Sequence, residues 1–338
     1  MKKVNYERHN IMVKNNTFSR ILKNNWCFAM WAITEECNFK CKYCSKPAGQ
    51  LINNYVDTLK IANNIADTFK KKKGKAWIIG LGGGEPFLSR DFIKVCKILT
   101  KDHHITLDTN LSISSKVHEF AYSISSSSVI NTHATFHIEE TENKHRADDF
   151  IKNVNLLQNK GFNVMVNYLL TPESIERFDR DYKYFRSKNI KLMPKPLKTE
   201  YNKMLYPDMY RDEDIKLILK HRPFMKFYPF DLRGLRCKAG KDFIFIRSDG
   251  RASRCLNDAS YLGDMNVGDI KLNDKSEDCT VDKCFCFGYD LIEYRNLKDF
   301  LVTVRQRWKY YLKVKTFFFS QRIKGWIGRS IAGIRARM

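Results

Sequence analysis

A chain of 338 residues with 43% hydrophobic side chains is ordinary for a globular protein and long enough for one large domain or two. Its ten cysteines form two groups with Cys27 and Cys96 left over, and the opening MKKVNYERHN has no apolar stretch behind its lysines. No run approaches the roughly 18 apolar residues that span a bilayer, so a secreted disulfide framework, a signal peptide and a spanning helix are excluded, and the expectation is a cytoplasmic protein with reduced thiols.

The formal net charge of +23 predicts attraction to anions: nucleic acid, phosphorylated substrates or an acidic membrane surface. A Lys- and Asn-rich composition accounts for part of it. Residues 1–25 are polar and basic with little period, too short a segment for a separate peptide-binding domain. Trp26–Thr34 (WCFAMWAIT) reads as a buried strand, with Cys27 in the core. Behind it, after Glu35 and Glu36, come Cys37, Cys41 and Cys44 in a C-x3-C-x2-C spacing. Three thiolates so close can hold three irons of a four-iron, four-sulfur cluster and leave the fourth open, the property of a metal centre that reacts. On spacing alone they could also be zinc ligands or buried thiols.

Val56–Lys73 is amphipathic, with Leu59, Ile61, Ile65 and Phe69 on one face, and Gly74 ends it. The strand Ala76–Leu81 runs straight into Gly82-Gly83-Gly84-Glu85-Pro86. Glycines there let backbone approach a ligand closely, and the glutamate offers an acceptor for an ammonium group. Ser89 is expected to cap a helix through Thr100 that packs Cys96. The strand His104–Leu107 ends at Asp108-Thr109-Asn110. A helix over Lys116–Ile124 and a loop of serines (Ser125–Ser128) lead to the strand Val129–Ile138, where Thr135, His137 and Glu139 share a face and Glu140 follows. Asp148–Lys160 is helical and stops at Gly161. Asn163–Leu170 is a strand, Thr171-Pro172 opens a helix to about Lys188, and Lys191–Pro196 is a sixth strand. Six alternating units predict a parallel sheet with helices outside, and functional residues at the C-terminal strand ends.

Residues 197–235 lack a clear period apart from a helix near Asp212–Lys220. Phe243, Phe245 and Arg247 then alternate with Ile244 and Ile246, Ser248-Asp249-Gly250 turns, and the chain returns to Cys255: a β-hairpin with Cys237 and Cys255 at its ends. Cys279, Cys284 and Cys286 follow. Hairpin-flanked cysteines also make zinc ribbons. Residues 301–338 carry ten Lys or Arg and seven aromatics and no acid. That mixture suits a helix lying on an anionic membrane. It equally suits one packed on the protein with its lysines outward, and nucleic acid less well.

The cysteine loop, the Gly-Gly-Glu-Pro turn one helix later and the Thr109-Asn110 pair together resemble the radical S-adenosylmethionine (radical SAM) superfamily, over roughly residues 27–290. The resemblance implies an α/β fold: a partial (β/α)6 barrel over 26–200, a connector over 201–235 and a small cysteine-rich hairpin domain over 236–292; composition alone adds a basic helical tail over 293–338. It implies a [4Fe-4S] cluster on Cys37, Cys41 and Cys44 whose open iron binds the methionine half of SAM. Gly83, Gly84, Glu85 and Pro86 would hold the SAM amino group, with Asn110, Thr135 and His137 nearby. Reduced by a donor such as flavodoxin or ferredoxin, the cluster would cleave SAM to a 5′-deoxyadenosyl radical that takes hydrogen from a substrate. The spacing Cys237-x12-Gly250-x4-Cys255 resembles the opening of SPASM and twitch domains. One auxiliary [4Fe-4S] cluster fits the five cysteines Cys237, Cys255, Cys279, Cys284 and Cys286. The C-x4-C-x-C ending departs from the usual pattern and leaves open which four are ligands. The expected substrate is a sugar or lipid-linked glycan, favoured by the tail and the short N-terminal segment. The alternative is a ribosomal peptide, and a different class would be a non-catalytic zinc-stapled module that binds membrane or RNA.

Overall fold

The structure, a computed structural model, describes residues 27–44, 56–73, 77–143, 147–222, 225, 227, 229–284 and 288–313. The N-terminal segment, Gly74, Cys286 and the aromatics Phe317–Phe319 and Trp326 lie outside these residues. Strands and helices alternate: β1 (Cys27–Thr34), α1 (Thr58–Lys73), β2 (Trp77–Gly83), α2 (Phe92–Leu99), β3 (His104–Thr109), α3 (Ser114–Ser123), β4 (Val129–Phe136), α4 (Ile138–Asn143), α5 (Ala147–Asn159), β5 (Val164–Leu170), α6 (Pro172–Ser187) and β6 (Leu192–Pro196). The six strands lie side by side in chain order, all parallel. Parallel neighbours need long crossovers, and here the helices supply them. One face of the sheet packs on the helices through Trp31, Ile79, Leu107, Val166 and Leu192, all in the main core. The other face is concave and carries smaller and more polar residues such as Gly80, Thr106 and Asn167.

Two local expectations change. Ser89 closes the short 3-10 turn Pro86–Leu88, and Asp91 takes the N-cap position of α2 without a side-chain bond. The expected strand Val129–Ile138 ends at Phe136, because Ile138 opens α4 with Glu139 and Glu140 in its first turn. Acidic residues are favoured there by the helix dipole. The period-two face therefore breaks after Thr135, and His137 sits in the bend.

The second half adds β7 (Glu200–Tyr201), β8 (Met204–Leu205), α7 (Asp212–His221), β9 (Arg236–Cys237), β10 (Phe243–Ile246), β11 (Arg251–Ser253), β12 (Tyr261–Asp264), β13 (Asp269–Ile270), β14 (Glu277–Asp278) and α8 (Leu297–Lys313). The hairpin β10–β11 is present, with Gly250 at φ +89° in its turn. Its placement is the new fact: β10 lies parallel to β1, Phe28 opposite Phe243. The sheet therefore runs through ten strands, β13-β12-β11-β10-β1-β2-β3-β4-β5-β6. With a neighbour on each side and cover on both faces, β10 is buried at all four residues, which is why it reads as a plain apolar run. Phe28 and Ile78, on the concave face near the starts of β1 and β2, join Phe230, Leu235, Phe243 and Ile292 in a second core. Segments of the second half thus plug that end of the concave face. Arg295 donates from Nη2 to Gly234 O at 2.9 Å and Gln306 donates to Asp231 O at 2.7 Å, docking the start of α8. Among the described residues no helix is long and apolar enough to cross a membrane.

Candidate active site at the C-terminal strand ends

The loop bearing Cys37, Cys41 and Cys44 leaves the C-terminal end of β1 and rests on the glycine turn that leaves β2. Gly84 N–H donates to Thr34 O at 2.7 Å, and Glu85 N–H to Glu36 O at 2.7 Å. This approach is what the glycines are for. A Cβ at Gly84 would overlap Glu36 O, and one at Gly83, whose φ is +117°, would overlap Thr34 O. The close backbone expected against a ligand is, in the fold, first of all backbone against backbone.

Glu85 is 1% exposed. Its Oε1 accepts from Phe87 N–H at 3.2 Å and Thr109 Oγ1 at 2.7 Å, and its Oε2 accepts from Asn110 N–H at 2.7 Å. Burial pushes its carboxyl up to about 7 against these three donors. The carboxylate therefore ties the end of β2 to the end of β3, a role that expecting an ammonium acceptor did not include. Asn110 completes the tie. Its Nδ2 donates to Asn38 Oδ1 at 3.0 Å, Asn38 Nδ2 donates to Ser112 Oγ at 2.8 Å, and Ser112 N–H donates to Asn110 Oδ1 at 2.9 Å. Asn38 and Ser112 were not singled out in the sequence, and Thr109 was named only as part of the pair that ends β3. Asn38 stands inside the C-x3-C spacing, where a short amide that can bridge two loops is the one available signal.

His137 forms the floor beneath the cysteines. Its Nδ1 lies 2.8 Å from Tyr43 Oη and 3.4 Å from Cys41 Sγ. Tyr43 stacks on its ring and Phe39 meets it edge-on. Burial, with the Lys195 charge adding, holds His137 down to about 4, and burial pushes the Tyr43 phenol up. A neutral imidazole and a protonated phenol can share this hydrogen bond in either direction, according to which ring nitrogen carries the proton. Burial pushes Cys41 up to about 12 and Cys37 upward, with the Glu85, Cys44 and Glu140 charges adding at Cys37. Thr135 lines the concave face at the end of β4. Beside the loop, Lys42, Tyr43, Glu139, Glu173 and Arg177 line a cavity of about 430 Å3.

The donor chemistry fits an iron-sulfur cluster with one open iron: three thiols within eight residues, on a loop held from β1, β2 and β3. Among the described residues no three His, Cys, Asp or Glu converge tightly enough for a single metal ion.

The second cysteine group is also brought together. Cys237, Cys255, Cys279 and Cys284 line one small cavity of about 20 Å3 with Arg254 and Asp258. Hairpin and bridge contacts place them: β9 pairs with β14, and Cys284 pairs with Phe230. The hydrogen bond between Cys237 and Cys279 pushes Cys237 up and Cys279 down. Arg254, 5% exposed, is held by Ala239 O at 3.0 Å, Glu277 O at 2.9 Å and Asp258 Oδ2 at 3.2 Å. It sets a fixed cation beside four thiols. These thiols sit by Phe28 and Phe243 at the start of β1, and Cys37 follows its end. At a rise of about 3.3 Å per residue the two groups are on the order of 20 Å apart, so they are separate sites.

Residues 31–185 match the model of the Radical SAM superfamily. GTP 3′,8-cyclase of Haemophilus influenzae is 33% identical over 95 residues, 27% of this chain and 28% of that protein. The same enzyme from Haemophilus ducreyi is 31% identical over 98 residues, 26% of this chain and 27% of that protein. The match therefore spans little more than a quarter of these relatives. Among solved structures, native anSMEcpe with bound AdoMet superposes with a TM-score of 0.50 at 15% identity, covering 71% of this chain and 78% of that chain. Native anSMEcpe with bound AdoMet and Kp18Cys peptide gives 0.50 at 16% identity, covering 71% and 77%. These structures share the fold. The chain carries a Radical SAM domain, the domain of a class of enzymes, on the parallel sheet described above.

Proposed function

We propose that this radical SAM enzyme binds a [4Fe-4S] cluster through Cys37, Cys41 and Cys44 and SAM beside it, and acts on a substrate held under the cysteine loop. The observation that carries the reading is the fusion of three motifs into one rigid unit. The cysteine loop is seated on the glycine turn by Gly84 and Glu85, and both are tied to the end of β3 through Asn110. When bound, the cluster supplies the electron that cleaves SAM to methionine and a 5′-deoxyadenosyl radical able to take a hydrogen atom from the substrate. The chain's own residues position. Gly83, Gly84, Glu85 and Pro86 shape the floor on which the SAM amino group would lie, and Asn110, Thr135 and His137 bound the space around it. Tyr43 and Phe39 cover His137 and keep water from that side of Cys41.

Four of the five C-terminal cysteines would hold an auxiliary [4Fe-4S] cluster, as in SPASM and twitch domains. Cys237, Cys255, Cys279 and Cys284 are the four that share a cavity with Arg254, whose charge would offset that of the thiolates. Cys286 lies outside the described residues. For the substrate, the polar concave face supports a small sugar-type molecule. A peptide is the second reading, favoured by the fold shared with anSMEcpe, which is known in complex with the Kp18Cys peptide. A flavodoxin- or ferredoxin-type protein would supply electrons. The cell compartment we propose is the cytoplasm, with residues 301–338 meeting an anionic membrane face.

The test is anaerobic reconstitution, an iron and sulfide count, and assay of 5′-deoxyadenosine after SAM and dithionite are added. About eight irons with cleavage is the expected result. Cys41→Ala keeps the fold and abolishes cleavage. Unchanged 5′-deoxyadenosine from that variant would sink the assignment.

A further inference from the structure

Helix α8 is docked with its sides reversed. At 3.6 residues per turn, Asp299, Thr303 and Gln306 fall on one side of it, and Leu297, Lys298, Leu301, Val302 and Arg305 on the other. The polar side faces the protein. Asp299 is 6% exposed and Thr303 2%. Arg295 donates from Nε to Asp299 Oδ2 at 3.0 Å, and Asp299 N–H donates to Asn296 Oδ1 at 3.0 Å. Tyr294 Oη and Thr303 Oγ1 lie 3.2 Å apart. Gln306 Oε1 accepts from Asp231 N–H at 3.0 Å, while its Nε2 donates to Asp231 O. The apolar side faces out. Leu297 is 57% exposed, Leu301 52% and Val302 36%, and Lys298 and Arg305 beside them are exposed as well.

A surface helix ordinarily buries its apolar stripe and wets its polar one. Single exposed leucines need no explanation, but a buried polar side opposite an exposed apolar side on one helix does. Bonds from Tyr294, Arg295, Asn296 and Asp231 fix the roll of the helix, so the apolar side is held outward.

Charge selects what can cover it. Asp299 is the last acidic residue of the chain, and residues 301–338 carry ten Lys or Arg. Folded back over α8, the segment after it would bring cations to Lys298 and Arg305 and no carboxylate. A second copy related by a twofold axis would set the same two cations against themselves, and like charges facing each other across an interface are costly. An anionic lipid surface has neither fault. Its headgroups meet the cations, and leucine and valine side chains sink to the acyl boundary.

We infer that the outward side of α8, with Leu297, Leu301 and Val302 as its apolar stripe and Lys298 and Arg305 as its cations, is a preformed contact for an anionic lipid surface. The inference rests on the membrane reading given above and deepens it. It assigns the contact to a helix already folded and docked, where that reading names only a basic segment.

The experiment uses the reconstituted full chain with residues 314–338 in place. Co-sedimentation is measured with vesicles of phosphatidylcholine alone and of phosphatidylcholine mixed equally with phosphatidylglycerol. The proteins are the wild type, the Leu297→Gln/Leu301→Gln pair, the Lys298→Gln/Arg305→Gln pair and a chain lacking 314–338. The wild type is expected to bind the mixed vesicles. The leucine pair should bind them about tenfold or more weakly, since two leucine side chains lose their burial. The cation pair should weaken binding to the mixed vesicles and leave binding to phosphatidylcholine alone unchanged. Unfolding midpoints and SAM cleavage should match the wild type in both pairs, because these side chains touch neither the core nor the cysteine loop. Binding by the leucine pair equal to the wild type overturns the inference. So does a lowered unfolding midpoint in that pair, which would mean that the protein's own chain covers the stripe. A wild type that is dimeric without lipid and becomes monomeric in the leucine pair overturns it in favour of a second copy. If loss of 314–338 abolishes sedimentation while the leucine pair binds normally, this inference falls and the broader membrane reading stands. If the wild type sediments with neither vesicle, both fall.

Discussion

Gly84→Ala tests the seat of the cysteine loop directly. The added Cβ would overlap Glu36 O, with Glu36 C and Glu35 C within 3 Å. These are backbone atoms and cannot swing aside as a side chain would. Gly84 has no positive φ, so the penalty is steric alone. Overpacking against fixed neighbours costs about 1–3 kcal/mol. The two hydrogen bonds that hold the loops, Gly84 N–H to Thr34 O and Glu85 N–H to Glu36 O, should each weaken by up to about 1 kcal/mol. The expected loss is about 2–4 kcal/mol in a denaturant titration, with a fall in iron bound per chain after reconstitution, because the loop that moves carries Cys37. Gly82→Ala is the control two residues earlier. Its Cβ would meet Asp108 Cβ at 3.6 Å, an ordinary contact, so stability should change by less than about 1 kcal/mol. If Gly84→Ala matched Gly82→Ala in both stability and iron, the claim that these glycines exist for the loop-on-loop approach would be wrong.

Glu85 gives a pH signature. Its carboxyl is raised from 4.5 to about 7 in the fold. A raised acid binds its proton more tightly folded than unfolded. Its stabilising contribution is complete below about 4.5 and is lost as pH rises to about 7, a change on the order of 3 kcal/mol. Unfolding midpoints measured from pH 4.5 to 8 should show this fall in the wild type and a flatter profile in Glu85→Gln; parallel profiles would remove the assignment. Cys279→Ala should lower reconstituted iron by about four per chain while 5′-deoxyadenosine is still formed, and an unchanged iron count would leave the auxiliary cluster without support. Deleting residues 314–338, which spares the docked start of α8, should reduce co-sedimentation with anionic vesicles and leave SAM cleavage intact. Equal sedimentation would argue against the membrane face.

What could be read from the sequence was what local chemistry dictates. Six apolar runs alternating with amphipathic ones specify parallel β1–β6, because a parallel pair must be joined by a crossover that covers the sheet. The three cysteines and the glycine turn were visible because their spacing is short. What stayed hidden depends on distance in the chain. That β10 would lie against β1 could not be read, since a four-residue apolar run looks the same in a small hairpin unit and in the middle of a large sheet. Tyr43 and His137 are 94 residues apart and meet at 2.8 Å only because β4 ends one residue before the histidine. Net charge alone had pointed to anions without saying where. A sum over the whole chain carries no position, so it cannot say which face of the fold meets an anion.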